Sequence, residues 1–261
     1  MQIPLYQLDA FTAQRFAGNP AAVCPLEQWL ADETLAAIAA ENNLSETAFL
    51  VPQGADFELR WFTPTVEIEL CGHATLAAAE VVFRHLRPAL TAVRFHTRRA
   101  GVLGVERRGE WLELDFPSRP PRRVEAPPAL LQALGGAPID TLESTRDYLI
   151  LYGSEDEVAA LEPRMEPLAA LGPRGVIVTA KGTRSDFVSR FFAPGAGVDE
   201  DPVTGSAHCV LTPFWAEKLG QSELTARQLS KRGGELRCTL RGARVGIAGQ
   251  VVPYLVGTIT V

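Results

Sequence analysis

The chain has 261 residues, 46% of them hydrophobic and 21% charged, with a formal net charge of -6 and a pI near 5.4. That balance suits a globular protein of one large or two modest domains and argues against nucleic acid, which requires clustered basic surface. The opening Met1-Gln2-Ile3-Pro4-Leu5 lacks a basic signal-peptide segment, no apolar run reaches the ~18 residues of a membrane span, and the cysteines form no CxxC pair; a cytoplasmic, reduced protein without membrane contact is expected.

Ile3 to Phe11 reads as a strand, followed by a Gly18-Asn19-Pro20 turn and an extended Ala21 to Cys24. Asp32 to Glu41 has helical spacing, with Asp32 placed to cap it. Thr47 to Val51 and Phe57 to Thr63 read as strands, and Gly72 to Phe83 is so uniformly apolar that a buried helix is predicted. Ala92 to His96, Gly101 to Arg107 and Trp111 to Phe116 look like a meander. Pro117 to Pro128, rich in Pro and Arg, is the candidate linker between an N-terminal half (1-116, joined by the closing strand 251-261) and a C-terminal half (117-250). Beyond it, Pro128 to Leu134 and Ser154 to Leu161 are helical, the latter opened by a capping box, Ser154-Glu155-Asp156-Glu157. Tyr148 to Tyr152 and Val176 to Ala180 fit buried strands, and Ala207 to Leu219 a second apolar helix. Arg237 to Arg241, Arg244 to Ile247 and Tyr254 to Val261 close the chain as strands. The pairs Arg98-Arg99, Arg107-Arg108 and Arg122-Arg123 read as solvated positions, and His85 and His96 as surface residues.

An internal repeat organises the chain. Arg60-Trp61-Phe62-Thr63-Pro64 returns as Arg190-Phe191-Phe192-Ala193-Pro194, an offset of 130 residues. Each copy leads into an acidic loop, a glycine (Gly72 or Gly205) and an apolar helix. A duplicated fold is expected to present these loops across a pseudo-twofold axis, with free helix N-H groups suited to a carboxylate.

Glu46 lies in Asn43-Leu44-Ser45-Glu46-Thr47-Ala48-Phe49, where apolar neighbours would desolvate a carboxylate and suit it to proton transfer. By pattern alone, a solvent-facing Glu at a loop end is the stronger reading. The blocks Asn43 to Phe49, Cys71-Gly72-His73-Ala74-Thr75 and Asp201-Pro202-Val203-Thr204-Gly205-Ser206-Ala207-His208, with Asp9-Ala10-Phe11 and Gly18 to Val23 at the start, resemble the PhzF-like family of phenazine biosynthesis in order along the whole chain. The resemblance implies an α+β, diaminopimelate-epimerase-like fold: two similar halves, each a curled, mainly antiparallel sheet around a central helix, related by a pseudo-twofold. It also implies an isomerase, usually a homodimer, that uses no metal or organic cofactor. Its best-known reaction moves a proton between ring carbons of a dihydro-hydroxyanthranilate. Carried over, Glu46 is the general acid/base, and His73 and Asp201 hold and polarise a small carboxylate-bearing substrate. Ser45, Gly72, Ala74, Thr204, Gly205 and Ser206 would line its binding site.

Related epimerases place a thiol on each side of the substrate carbon. Cys71 could be the first, but the second position falls near Pro202, and Cys209 reads as a small packing residue. A two-base epimerase is therefore disfavoured. A non-catalytic carboxylate binder of the same fold is the alternative. A serine hydrolase built on Ser206 lacks a nucleophile elbow, and a metal site from His73, His208 and Asp201 lacks ligand spacing.

Overall fold

The computed structural model describes residues 1-261. In chain order the first elements are β1 (Gln2–Ala10), β2 (Asn19–Pro25), α1 (Asp32–Asn42), β3 (Glu46–Gln53), β4 (Asp56–Phe62), β5 (Glu67–Ile68) and α2 (Gly72–Val81), which runs on into a π turn (Val82–Leu86). Then come β6 (Ala92–Thr97), β7 (Val102–Arg108), β8 (Trp111–Pro117), β9 (Arg122–Arg123), α3 (Pro128–Leu134), β10 (Asp140–Glu143) and β11 (Asp147–Leu151). The remainder is α4 (Glu155–Ala160), α5 (Met165–Ala169), β12 (Gly175–Lys181), β13 (Phe187–Phe192), a 3-10 turn (Pro194–Ala196), α6 (Gly205–Leu219), β14 (Glu223–Gln228), β15 (Gly234–Arg241), β16 (Arg244–Gly249) and β17 (Val251–Thr260). The architecture is α+β, built from curled sheets and few helices. No helix is long and apolar enough to cross a membrane.

Two compact units result: Met1–Asp115 with Ala248–Val261, and Phe116–Ile247. In the first, β17 pairs with β1, and the sheet continues through β2, β3, β4, β6, β7 and β8. Helix α2 packs on β1, β2, β3 and β17. It is buried from His73 to Val81 on every side, so its alanine-rich, stripe-free sequence is what the position demands. Its one carboxylate, Glu80, is neutralised by Arg84 at 2.6 Å and Arg107 at 3.1 Å. Arg107 is thus a half-buried counter-ion, not a solvated surface charge. In the second unit the sheet runs β9, β10, β11, β12, β13, β14, β15 and β16. One of its faces is a core of Leu130, Ile150, Tyr152, Val178, Val188 and Phe192.

The repeat extends to strand pairing. From β1 to β7 the successive pairs β1/β2, β2/β3, β3/β4, β4/β6 and β6/β7 are antiparallel, parallel, antiparallel, parallel and antiparallel. The pairs β10/β11, β11/β12, β12/β13, β13/β14 and β14/β15 follow the same alternation. In each unit the second parallel pair is joined through the long helix, α2 or α6, as a parallel connection requires.

Several local expectations need correction. Asp32 does not cap α1; Ala31 holds the cap position, and the Asp32 carboxylate lies 2.9 Å from Arg60, whose charge outcompetes a backbone N-H. Pro117 to Pro128 is not a free linker. It contributes β9, and Ser118 and Arg119 donate their N-H groups to Ala243 and Cys209 carbonyls. His85 is exposed, as expected, with its ring packed on Tyr6 at a centroid distance of 4.7 Å, whereas His96 is only partly exposed and contacts Asp56 at 2.9 Å. Asn19 and Pro20 open β2, leaving Gly18 as the turn; its φ of 65° and a Cβ that would meet the Ala10 carbonyl at 2.2 Å require glycine there. Strands β5, β9, β10, β13 and β14 and helix α5 are elements beyond those expected from the sequence.

Candidate active site

Glu46 is the first residue of β3. Helix α1 stops at Asn43, which adopts the left-handed conformation (φ 49°, ψ 38°) that Asn tolerates, and three residues later, at Glu46, the chain enters the sheet. There β3 is held between β2 and β4 and anchored by Phe49 and Leu50, both fully buried. The strand start fixes Glu46 at the sheet end, with its side chain 15% exposed. Helix α2 begins one residue before His73, and His73 Nε2 lies 2.9 Å from Glu46 Oε2. Cys71 stands at the cap position of α2, its Sγ 3.5 Å from His73 Nδ1. Ser45 and Gly72 are half-buried beside this group and Ala74 is buried.

Burial works against a charge on His73, but the neighbouring Cys71 and Glu46 outweigh it and hold the imidazole pKa well above 6.5. Burial pushes the Cys71 thiol up to about 11, and the Glu46 charge adds to the rise. The thiol therefore stays protonated at neutral pH and acts on His73 as a hydrogen-bond partner, with the Glu46 carboxylate as the neighbouring anion. Ligand atoms of Glu46, Cys71 and His73 all lie within 4.8 Å of one another, a donor set that could hold zinc. An imidazolium set between a carboxylate and a thiol is charge-balanced without an ion.

Asp201, Thr204, Gly205 and Ser206 belong to the second unit. The Asp201 N-H donates to the Phe191 carbonyl at 3.0 Å, and Thr204 Oγ1 donates to Asp201 Oδ2 at 2.5 Å. Ser206, at the head of α6, is exposed. His208 cannot serve it as a base. Its Nδ1 bonds the Thr204 carbonyl at 2.8 Å, and complete burial lowers its pKa to about 4. Cys209 is buried, its thiol pushed up to about 12, as a packing residue should be.

Both acidic loops are secured in the same way. Arg60 forks onto Glu67 with bonds of 2.7 and 2.8 Å, and Arg190 forks onto Glu200 with 2.7 and 3.1 Å. Each guanidinium also lies 5.0 Å over a phenylalanine ring, Phe62 or Phe192. The register then matches the units residue by residue. Phe62 faces Thr47 on β3, and Phe192 faces Val176 on β12, so the counterpart of Glu46 is Gly175. A Cβ on Gly175 would meet Asp147 Oδ1 at 2.4 Å and the Phe191 ring at 2.5 Å. The cap residues Cys71 and Thr204 correspond, which places the second-thiol position at Thr204, not near Pro202. Thr75 and His208 correspond too, each bonding back to the cap carbonyl, at 2.5 and 2.8 Å. His73 then corresponds to Ser206. The carboxylate, thiol and imidazole are all on one unit.

The sequence matches the phenazine biosynthesis-like protein family, PhzC-PhzF, over residues 8–257. The chain belongs to that family. An uncharacterized isomerase of Pseudomonas aeruginosa is 54% identical to it, over 99% of both chains. The crystal structure of a PhzF-family phenazine biosynthesis protein from Enterococcus faecalis superposes with a TM-score of 0.97 at 44% identity, over 100% of each chain. A predicted epimerase from Pseudomonas aeruginosa shares the fold at 21% identity, with a TM-score of 0.72 and 99% of each chain covered. The enzyme is of the isomerase class, as its relatives are, and the fold is the epimerase-like one that the sequence blocks implied.

Proposed function

We propose that the protein is a cofactor-independent isomerase that moves a proton on a small carboxylate-bearing substrate, of the dihydro-hydroxyanthranilate kind, with Glu46 as the acid/base. The observation that carries this reading is the Glu46–His73 contact at 2.9 Å in a nearly buried setting. In this scheme the carboxylate of Glu46 takes a proton from a ring carbon and returns it to another carbon on the same face. His73, held cationic, orients Glu46 and offsets the negative charge that develops on the substrate. Asp201 holds the substrate's polar groups, and the N-H groups at the heads of α2 and α6 receive its carboxylate. Gly175 in the place matching Glu46, and Thr204 in the place matching Cys71, favour this one-base scheme over a symmetric two-base epimerase.

The test is turnover of dihydro-hydroxyanthranilate in heavy water. Deuterium should enter at the carbon that gains the proton, and Glu46→Gln should abolish both turnover and label. Full turnover by Glu46→Gln would remove Glu46 from the reaction. Ligand protection against melting with no exchange of label, in this and related ring acids, would favour the binding protein instead.

A further inference from the structure

Thr204 is held at every polar atom. Its N-H donates to Gln228 Oε1 at 2.9 Å, its carbonyl accepts from His208 Nδ1 at 2.8 Å, and its hydroxyl donates to Asp201 Oδ2 at 2.5 Å. Three of the bonds in this loop come from one side chain. Gln228, at the end of β14 and 1% exposed, also donates from Nε2 to the Asp201 carbonyl at 2.7 Å and to Thr204 Oγ1 at 3.1 Å.

The directions of these bonds are forced. An amide N-H can only donate, so the atom of Gln228 facing Thr204 N must be the carbonyl oxygen. Nε2 then faces the Asp201 carbonyl and the Thr204 hydroxyl. A hydroxyl that accepts from Nε2 turns its own proton to Asp201. One carboxamide thereby sets the backbone at both ends of the 201-204 turn and the orientation of the carboxylate between them. Glutamate would put a second acceptor against the Asp201 carbonyl, and methionine would supply none of the three bonds.

The first unit does not use this device. Register places Thr97 opposite Leu59 on β4, as Gln228 stands opposite Ser189 on β13. The Thr97 hydroxyl turns back to the Gly101 carbonyl in its own hairpin, at 2.8 Å. The clamp therefore accompanies Asp201 and is not part of the repeated scaffold.

We propose that Gln228 is a positioning residue: it holds the Asp201–Gly205 turn so that the Asp201 carboxylate and the first N-H groups of α6 are aimed for substrate. Its catalytic consequence rests on the isomerase reading above, whereas its structural consequence does not. The test uses the full chain with Gln228→Met, Gln228→Glu and Thr204→Val. In Gln228→Met, amide exchange at Thr204 and Gly205 is expected to quicken by about tenfold or more, while the second half of α6 stays within about twofold of wild type. With dihydro-hydroxyanthranilate as the probe, kcat/KM should fall about tenfold, most of it in KM.

Gln228→Glu gives a signature that a merely structural role would not. Its kcat/KM relative to wild type should recover as pH falls toward about 5, where a protonated glutamic acid regains a donor. Gln228→Met combined with Thr204→Val should be no worse than the poorer single variant, because both break one chain of bonds. Additive losses, or unchanged Thr204 exchange in a folded Gln228→Met, would overturn the proposal. Should Gln228→Met not fold, Thr204→Val and Gln228→Glu decide the matter: a flat pH ratio together with wild-type kcat/KM in Thr204→Val overturns it. Wild type without turnover would sink the isomerase reading alone, with the exchange result still deciding the role of Gln228.

Discussion

Each unit buries a histidine in the first turn of its long helix, and the neighbours of the two are opposite in kind. His73 faces a carboxylate 2.9 Å away and a thiol, and is held protonated. His208 faces a backbone carbonyl through Nδ1 and a phenylalanine ring 5.9 Å away, and burial holds it neutral. Both are buried to a similar degree. What separates them is whether an anion was buried alongside, since burial alone drives an imidazole toward its neutral form. The two histidines stand at non-equivalent places in the repeat, His73 matching Ser206 and His208 matching Thr75, and the buried partner decides whether each ring carries charge.

Glu46→Gln removes the anion, so turnover should fall by about 10²–10⁴-fold, and the His73 ring, followed by NMR, should titrate far below its wild-type pKa. A His73 that stays charged in this variant would show that another group supports it. The next effect is on stability. His208 has its folded pKa lowered from 6.5 to about 4, so it stabilises the fold fully above pH 6.5, and that contribution is lost as pH falls through this window to about 4. The loss is on the order of 3 kcal/mol, and denaturant unfolding across the window should be flatter in His208→Asn. His73 runs the other way: its folded pKa is raised, so its contribution is complete below 6.5 and is lost as pH rises through the higher folded value.

Smaller effects sharpen the same contrast. Gly175→Ala places a methyl against Asp147 and Phe191 and should cost about 1–3 kcal/mol in denaturant unfolding, because the second unit has no room for even the stem of a base there. An unchanged midpoint would mean that this space can open. Cys71, pushed from 9.0 to about 11, should react with iodoacetamide about a hundredfold more slowly than a thiol at 9.0 when both are assayed at the same neutral pH. Rapid alkylation of the native protein would contradict a protonated Cys71.

Elements with a strong local signal were readable in the sequence: α2 from its unbroken apolar run, α4 from Ser154, whose hydroxyl caps the Glu157 N-H at 3.1 Å, and the repeat from Arg60 and Arg190. Glu46 was legible only through its sequence block, because the partner that gives it chemistry is His73, brought near by a strand start and a helix start with β4 and β5 between them. The fork of Arg60 onto Glu67 was visible as two repeated letters without a role. Gln228 left no signal at all. A lone glutamine in a short strand carries no period, and its three bonds go to a turn more than twenty residues earlier, so only the fold reveals it.

The two arginine forks bear on how such a molecule could change. Arg60 and Arg190 each fix the acidic stretch just ahead of a long helix by contacts that involve none of the residues at 71, 73, 204 or 206. After a gene duplication, the letters at 71, 73 and 206 could be rewritten while the acidic stretch ahead of each helix stayed in place. An ancestral, symmetric arrangement could thus become a one-sided catalyst through substitutions at the tips, without any intermediate having to rebuild its loops.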